Sequence, residues 1–443
     1  MTETDTHEQV AQSNRAALRL ANVDEAQRNA ALADIADAIR ENSEAILAAN
    51  GTDVEEAEAM LAEGEYTQAL VDRLKLDEGK LERIAGMVES VAEQSDPLGK
   101  TLAARELDED LELYKLSVPL GVVGTIFESR PDALVQIAAL ALKSGNAVIL
   151  KGGSEASESN RVLYETILDA TADLPEGWAT LIEAHEEVDR LLEMDDMVDL
   201  VMPRGSSEFV SYIEANTQIP VLGHTEGVCH VYVDEAADLA MAEDIALDAK
   251  VQYPAVCNAV ETLLVDEDVA ADFLPGAVSR YREAGVTLRG DPATRDIVDV
   301  DPATDGDWRA EYGDLELAIK VVADVYDAVD HINANGSKHT ESIVTEDADA
   351  AETFMTGIDA ASVFHNASTR FADGYRYGLG AEVGISTGKV HARGPVGLEG
   401  LTTYKYCLEG DGQLVASYAG EDALPFAHRE FDGEWHPGHL ADE

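Results

Sequence analysis

The chain has 443 residues, of which 45% are hydrophobic, and this size predicts two or three globular domains rather than one. Its 88 acidic and 31 basic residues give a formal net charge of -57, which excludes nucleic acid as a partner because phosphates would be repelled. The longest nearly apolar run, residues 133–142, is about half of the roughly 20 residues that a membrane helix requires, so no membrane span is expected.

The cysteine count and the acidic excess indicate the compartment. Three cysteines, Cys229, Cys257 and Cys407, predict no disulfide framework, and the acidic N-terminus is not that of a secretory signal. Carboxylates repel one another less in concentrated salt, because the Debye length falls from about 8 Å at physiological ionic strength to about 3 Å at 1 M. We therefore expect a protein of a salt-rich cytoplasm that loses stability when salt is removed.

Residues 8–96 are predicted to form a helical scaffold. Apolar residues there recur at spacings of three, four and seven, which places them on one helix face: Leu32, Ile35, Ile39 and Ile46. Asn50-Gly51 predicts a helix end, and Asp53 predicts a new N-cap. In residues 101–117, Leu107, Leu111 and Leu113 share the odd positions of a two-residue period among the acids of residues 106–112, which predicts an exposed strand or hairpin.

A strand, helix and strand pattern follows. Residues 121–127 and 147–150 are apolar and strand-like, and Pro131 opens an amphipathic helix between them. Such a βαβ unit predicts a parallel sheet whose strand ends face a ligand crevice. At the end of the second strand, the backbone of Lys151-Gly152-Gly153 admits close approach of a ligand, and the lysine supplies charge for a ribose or phosphate. A plain turn between strand and helix explains these three residues about as well.

The next unit repeats this logic. Residues 197–202 predict a strand and Glu208 begins a helix, so Gly205 and Ser206 lie at a helix N-terminus, where a pyrophosphate is attracted. The usual fingerprint of three glycines within six residues is absent. The motif on its own therefore does not establish a dinucleotide site.

His224 and His230 precede a further strand, residues 231–233. Their spacing does not match a helical zinc pair, and no cysteine pair has ligand spacing, so we predict no metal site. A histidine in such a position is more often a hydrogen-bonded structural residue than a catalytic one.

Cys257 lies between Pro254 and a strand-like run, residues 260–265. The proline and the β-branched run predict that the thiol sits at the tip of a loop entering a strand, where reactive groups are commonly presented. The alternative is a buried and inert thiol, which is the more frequent fate of a free cysteine. The dinucleotide-like turns upstream favour the reactive interpretation, because a thiolate beside a hydride donor is a recognisable chemical pairing.

The last informative stretch is residues 377–400, in which seven glycines interleave with Glu382, His391 and Arg393. Glycine at this density predicts backbone packed close to another group, and branched apolar residues argue against a disordered loop. Residues 266–330 show no recognisable chemistry.

Together these stretches resemble the gamma-glutamyl phosphate reductases of the aldehyde dehydrogenase superfamily over residues 10–410. The motifs that carry the resemblance are residues 118–124 with Phe127-Glu128-Ser129-Arg130-Pro131, Pro203-Arg204-Gly205-Ser206, residues 220–224 with 229–233, Cys257-Asn258-Ala259-Val260-Glu261-Thr262, and residues 380–387 with 391–395.

The resemblance implies an α/β, aldehyde dehydrogenase-like fold. It combines a Rossmann-type cofactor domain (1–100 and 119–248), an α/β catalytic thiol domain (249–390) and an oligomerisation β-hairpin whose strands are 101–118 and 402–414. A return loop (391–401) and an unassigned tail (415–443) complete the chain. A homo-oligomer is implied by the hairpin pairing.

The activity that the resemblance implies is NADPH-dependent reduction of L-glutamyl 5-phosphate to L-glutamate 5-semialdehyde and phosphate, in proline biosynthesis. Cys257 would form a thioester, and its N–H together with Asn258 would stabilise the oxyanion. The implied partners are a small-molecule substrate and functional coupling to a glutamate kinase. The alternatives are an NAD(P)-dependent aldehyde dehydrogenase that forms a carboxylic acid and a non-catalytic nucleotide-binding scaffold.

Site residues follow from the same resemblance. The cofactor NADP is expected at Lys151, Gly152, Gly153, Gly205, Ser206 and Glu382. Ser154 stands where NAD-preferring relatives often carry a glutamate for the adenosine ribose, which favours a 2′-phosphate. His224 stands where oxidising relatives place a glutamate that activates water. The substrate is expected to bind Arg130, His224, Asn366 and Arg370, although surface salt bridges explain both arginines equally well.

Overall fold

A computed structural model describes residues 3–183 and 186–435. Five helices open the chain, as the apolar periodicity predicts, and Asp24, Thr67 and Asp77 cap three of them by accepting main-chain N–H groups. The helices are α1 (Glu3–Leu20), α2 (Glu25–Glu41), α3 (Ser43–Glu63), α4 (Gln68–Leu74) and α5 (Glu78–Glu93).

The helix end predicted at Asn50-Gly51 is wrong, because α3 continues through it. The Asn50 side chain is buried and donates to the Leu74 carbonyl at 2.9 Å and to Ser159 Oγ at 3.0 Å. Asp53 accepts from the main-chain N–H of Ser159 at 2.8 Å instead of capping a helix. The polar residues that predicted a helix end therefore do not end the helix. They form hydrogen bonds with the neighbouring elements instead.

The first lobe is built on a four-stranded parallel sheet with the order β5-β4-β3-β6, and the predicted βαβ unit forms its centre. Its core packs α2, α5, α6 and α7 against the strands. Its elements are β3 (Val122–Phe127), α6 (Pro131–Lys143), β4 (Ala147–Gly152), α7 (Ser157–Ala170), β5 (Ala179–Ile182), α8 (Glu186–Leu192), β6 (Leu200–Arg204) and α9 (Ser207–Ala215).

The second lobe has a seven-stranded parallel sheet with the order β10-β9-β11-β8-β7-β12-β13. Three of its strands fall within residues 266–330, where the sequence pattern showed helix and loop. Its elements are β7 (Cys229–Val233), α10 (Leu239–Val251), β8 (Val260–Asp266), α11 (Glu267–Glu283), β9 (Thr287–Gly290), α12 (Pro292–Ile297), β10 (Asp301–Pro302), β11 (Glu316–Val322), α13 (Val325–Asn335), β12 (Thr340–Val344), α14 (Ala348–Gly357) and β13 (Ser362–His365).

Strand pairing moves one expected boundary. β7 pairs with β8 and β12, so residues 229–248, expected in the cofactor domain, lie with the second lobe. Conversely, Ala381 and Val383, expected in the thiol domain, pack in the core of the first lobe. A boundary drawn from chain order does not show which strands pair within each sheet.

A third, antiparallel sheet has the order β16-β2-β1-β17. The predicted hairpin forms two of its strands, and the predicted late strand pairs with β2 in unbroken register. The remaining strands of the chain are β1 (Thr101–Asp108), β2 (Leu111–Pro119), β14 (Gly384–Ser386), β15 (Gly394–Val396), β16 (Thr402–Gly410) and β17 (Arg429–Glu430).

The tail, in which the sequence shows no readable pattern, contributes β17 to this sheet. Phe431 and Trp435 pack against the hairpin, and the indole N–H of Trp435 donates to Glu409 at 2.7 Å. Residues 436–443 of the tail lie outside the described residues. None of the described helices is long and apolar enough to cross a bilayer.

Candidate active site

Cys257 is carried by a turn between α10 and β8, residues 252–259, which we term the thiol turn. An ion pair joins the two elements that flank this turn: Lys250 Nζ in α10 lies 2.6 Å from Glu261 Oε2 in β8, and both side chains are buried. The buried Asn258 amide donates to the Ala372 carbonyl at 2.8 Å. These contacts hold the half-buried thiol at a fixed place, at the loop tip that the sequence predicts.

The loop before β7 packs directly on the thiol turn. A Cβ atom at Gly227 would lie 2.1 Å from the carbonyl oxygen of Cys257, so only glycine fits there. The buried Cys229 thiol donates to the same carbonyl at 3.2 Å. Two strands of the second sheet therefore meet at this turn through their amino ends.

Two histidines approach the thiol. The ring nitrogens of His224 and His339 and the sulfur of Cys257 lie within 4.8 Å of one another. His224 Nδ1 lies 3.0 Å from the Ile385 carbonyl, which only accepts, so Nδ1 carries the proton and Nε2 is the acceptor in the neutral ring. His339 is buried and its Nε2 has no hydrogen-bond partner within the described residues. The two ring nitrogens and the sulfur can contact one bound ligand, and a soft metal ion is one such ligand. The spacing of these residues in the sequence predicted no such cluster.

The electrostatic surroundings keep the resting thiol protonated. Burial raises the pKa of Cys257 to about 12, and the carboxylates of Glu311 and Glu382 add to the increase, whereas Arg204 opposes it. Thiolate formation therefore requires positive charge or a proton acceptor beside the sulfur when substrate is bound.

Two guanidinium groups supply positive charge there. Arg204, the last residue of β6, is half-buried, and its side chain has no ion pair or hydrogen bond within the described ranges. Arg370 is buried and donates from Nε to Gln252 at 3.0 Å. Both arginines interact electrostatically with Cys257. Guanidinium N–H groups on two sides of a thiol suit a substrate that carries a phosphate or carboxylate.

The opposite wall of the cleft is the carboxyl edge of the first sheet. Lys151 and Gly152 end β4, and the buried Lys151 Nζ donates to the Gly152 carbonyl at 2.5 Å. Ser206 caps α9, since its Oγ accepts the N–H of Phe209 at 3.4 Å. The predicted cofactor residues Lys151, Gly152 and Ser206 thus lie at the carboxyl ends of strands in the first sheet.

Glycine is required at this edge by close packing. A Cβ atom at Gly153 would lie 2.1 Å from a Glu155 carboxylate oxygen, and one at Gly205 would lie 2.8 Å from a Glu128 oxygen. The same Glu155 carboxylate accepts the main-chain N–H of Ser129 at 2.5 Å and its hydroxyl at 2.8 Å. Carboxylates of Glu155 and Glu128 therefore pack on the two glycines, and the Glu155 carboxylate is held there by Ser129.

Glu382 joins the thiol side of the cleft. Its carboxylate accepts the N–H of Gly374 at 2.8 Å and interacts electrostatically with Arg204 and Cys257. Burial raises its pKa. The glycine-rich stretch thus brings one acid to the centre of the cleft.

Asn366 does not join this group. Its amide accepts from the Thr345 N–H and donates to the Thr345 carbonyl, both at 3.0 Å. Thr345 and Asn366 follow β12 and β13, at the carboxyl edge of the second sheet, whereas Cys257 lies at the amino edge. A five-residue strand separates those edges by about 17 Å, so we no longer propose Asn366 as a substrate ligand.

Three residues of the cleft were not among the predicted site residues: Arg204, Glu311 and His339. Arg204 ends a strand beside Gly205, a position that could have pointed to it. Glu311 lies in a loop and His339 directly before β12, and no local motif marks either one. They reach the thiol only because parallel strands far apart in sequence are neighbours in the sheet.

Two parallel sheets with a reactive thiol at the cleft between them are typical of aldehyde dehydrogenase-like enzymes, which use a nicotinamide cofactor. The model of the aldehyde dehydrogenase family matches residues 1–307. Gamma-glutamyl phosphate reductase of Natronomonas pharaonis is 72% identical over 439 residues, covering 99% of this chain and 100% of that protein. The corresponding protein of Haloquadratum walsbyi is 66% identical, covering 97% and 96%.

A solved structure agrees with these relatives. The crystal structure of gamma-glutamyl phosphate reductase from Thermotoga maritima superposes with a TM-score of 0.89 at 41% identity, covering 92% of this chain and 99% of that one. The chain therefore belongs to the gamma-glutamyl phosphate reductases, within the aldehyde dehydrogenase family.

Proposed function

We propose that the chain reduces L-glutamyl 5-phosphate to L-glutamate 5-semialdehyde and phosphate, in proline biosynthesis, with NADPH as the donor. The observation that carries this proposal is that Arg204, at the carboxyl end of β6, and Arg370 both interact electrostatically with Cys257. An acyl phosphate is already activated, so the protein has only to bind its charge and deliver a nucleophile.

Cys257 is the proposed nucleophile. Phosphate charge held by the two arginines brings the acyl carbonyl to the sulfur, and the thiolate attacks it. The carbon–oxygen bond to phosphate breaks with its electron pair, the departing phosphate takes up the proton that the thiol has released, and a thioester remains on the protein. After hydride addition, the thiohemiacetal releases the aldehyde and restores the thiolate.

The N–H of Cys257 faces its own sulfur, where it can also stabilise the oxygen of a sulfur-bound carbonyl. Asn258, expected to share this role, is buried with its amide nitrogen on Ala372. We therefore assign Asn258 the positioning of the thiol turn and leave the oxyanion contact to the main chain.

A nicotinamide cofactor belongs to this family, and we propose NADP for this chain. The N-terminus of α9, at Gly205 and Ser206, suits a pyrophosphate, and Lys151 provides a cation at the same edge of the sheet. Ser154 offers no carboxylate, and the Glu155 carboxylate is held by Ser129. The cofactor, when bound, supplies the hydride. The protein residues orient it and keep water from the thioester.

His224 has a consistent role in this scheme. Its pKa is lowered by burial and its Nδ1 proton is fixed on Ile385. A neutral ring held in this way can orient the substrate, but it is a weaker activator of water than a carboxylate. The observation favours reduction of the thioester over its hydrolysis to a carboxylic acid.

Three further proposals concern the setting of the enzyme. The antiparallel sheet exposes large apolar residues, among them Leu102, Tyr406 and Leu408, which supports a subunit contact along β1 and β16 in a homo-oligomer. Supply of a labile acyl phosphate supports functional coupling to a glutamate kinase.

The net charge supports a salt-rich cytoplasm, and the thermal midpoint is expected to rise with KCl, whereas a flat or falling midpoint would contradict this.

The activity is tested in molar KCl with the purified chain, NADP and L-glutamate 5-semialdehyde. Phosphate-dependent formation of NADPH is expected, and Cys257→Ser must abolish it. Formation that does not depend on phosphate would instead indicate an oxidising aldehyde dehydrogenase. No formation in either condition would indicate a nucleotide-binding scaffold.

A further inference from the structure

A cavity of about 650 Å³ opens beside the thiol turn, between α4, α5 and the start of α6. Four basic side chains line it: Arg73, Lys80, Arg83 and Arg130. The whole chain has 88 acids against 31 bases, so this lining reverses the charge ratio of the protein. Such a concentration of positive charge is expected where an anion binds.

Most of this charge is not neutralised by the protein. The side chains of Arg73, Arg83 and Arg130 form no ion pair and no hydrogen bond within residues 3–183 and 186–435. Lys80 donates to the carbonyl of Lys75. Four cations among two acids leave an excess of positive charge, and unpaired like charges repel one another, so an anionic ligand lowers that cost.

The cavity adjoins the thiol turn. Tyr253 and Ala255 line it, and both belong to the thiol turn that carries Cys257. Arg130 lines it as well and interacts electrostatically with Arg204, the arginine beside the sulfur. A ligand in the cavity can thus extend to the reacting centre.

Two acids complete the lining. Asp72 and Asp132 approach from α4 and α6, among the arginines. A plain anion such as inorganic phosphate gains nothing from carboxylates, whereas a zwitterion with one carboxylate and one ammonium group is matched by both signs of charge. The α-carbon end of an amino acid is such a zwitterion.

We propose that this cavity binds the α-carboxylate and α-ammonium groups of the substrate, with Arg83 and Arg130 on the carboxylate and Asp132 on the ammonium. This inference rests on the proposed function, and it makes the cavity the source of specificity for a glutamyl chain over other acyl phosphates. The phosphate end then lies at Arg204 and Arg370, across the thiol.

The test compares two inhibitors of the full-length enzyme in molar KCl, L-glutamate and glutarate, which differ in the α-ammonium group. Wild type is expected to bind L-glutamate about tenfold more tightly than glutarate, because one charge-assisted hydrogen bond is gained. In Asp132→Asn the ratio of inhibition constants should fall to about one. In Arg83→Gln both constants should rise by about tenfold while the ratio is kept.

Lys75→Gln is the matched control, since Lys75 lies nearby, outside the cavity, and pairs with Glu58 at 2.8 Å. It should leave both constants and the KM for phosphate unchanged. An unchanged inhibitor ratio in Asp132→Asn would overturn the inference. So would a result in which Arg83→Gln raises only the KM for phosphate and neither inhibition constant, because the cavity would then be a phosphate site. Absence of phosphate-dependent NADPH formation in wild type would instead overturn the proposed function.

Discussion

The two lobes handle buried charge in different ways. In the first lobe, buried Arg28 and Lys143 pair with Asp96 and Glu25, acids that remain partly exposed. In the second lobe both members of each pair are enclosed: Lys250 with Glu261 at 2.6 Å, and His230 with Glu341 at 2.9 Å. Enclosed pairs are costly to desolvate, so their position is informative.

Those enclosed pairs surround the thiol. Lys250 ends the helix that enters the thiol turn, and Glu261 lies on the strand that leaves it. His230 and Glu341 join the adjacent strands β7 and β12. The second lobe thus uses buried charge to hold one reactive group, whereas the first lobe keeps its glycine edge open for a ligand.

The largest effect on stability is expected from Lys250→Met, which tests whether the enclosed pair differs from the partly exposed ones. It leaves the Glu261 carboxylate buried without its cation, and the expected loss is about 3–5 kcal/mol in the free energy of unfolding. Denaturant unfolding in molar KCl measures it. The double variant Lys250→Met with Glu261→Met should recover most of the loss. Equal stability of the single and double variants would contradict the assignment.

The same pair predicts a pH dependence. Burial raises the pKa of Glu261 from 4.5 to about 7, so between those values the folded protein holds a proton that the unfolded chain has released. Its stabilising contribution is therefore present below pH 4.5 and is lost as the pH rises through 7. The loss in Lys250→Met should accordingly be smaller at pH 5 than at pH 8.

The next effect concerns the first lobe, whose contribution at the thiol is Arg204. Arg204→Gln is expected to lower kcat/KM by about 10- to 100-fold, because a charged hydrogen-bond donor to the substrate phosphate is lost. Unfolding should change little, since the Arg204 side chain forms no ion pair or hydrogen bond in the described part of the protein and its electrostatic contacts are of both signs. Arg161→Gln, which removes a surface pair with Glu183, is the control and should leave kcat/KM unchanged.

Much of the fold, and the candidate nucleophile, could be predicted from the sequence. Two-residue and 3.6-residue periods predict the hairpin, the βαβ unit and the helical scaffold, because those patterns arise within single elements. Cys257 was found because a proline and a β-branched run bracket it locally. Asn50-Gly51 misled because its polar groups serve neighbouring elements rather than a helix end.

The remainder depends on which strands pair. Glu311 and His339 meet Cys257 through a sheet order in which β7, β8 and β12 are adjacent although far apart along the chain. The family resemblance implied Asn366 and Arg370 together as substrate residues, but the fold places the two at different edges of the sheet. No local pattern encodes that separation.

A smaller effect sharpens the account of the thiol itself. Glu311→Gln removes a negative charge that raises the pKa of Cys257, so the pKa should fall and the thiolate fraction at a given pH should rise. Inactivation by iodoacetamide at pH 8 should then accelerate by up to about tenfold, the change for one pKa unit. Asp314→Asn, on the same loop, should leave the rate unchanged. A slower or equal rate in Glu311→Gln would show that Glu311 does not act on the thiol.

The smallest effect is expected at an exposed network of the first lobe, where Arg40 contacts Glu82 at 2.9 Å and Glu89 at 2.6 Å. These groups are in water, so Arg40→Gln should lower the melting midpoint far less than Lys250→Met does. Salt screens exposed pairs but hardly reaches enclosed ones. The Arg40→Gln difference should therefore shrink as KCl is raised, while the Lys250→Met difference persists. Parallel salt dependences for the two variants would mean that the enclosed and exposed pairs do not differ in the way that their burial indicates.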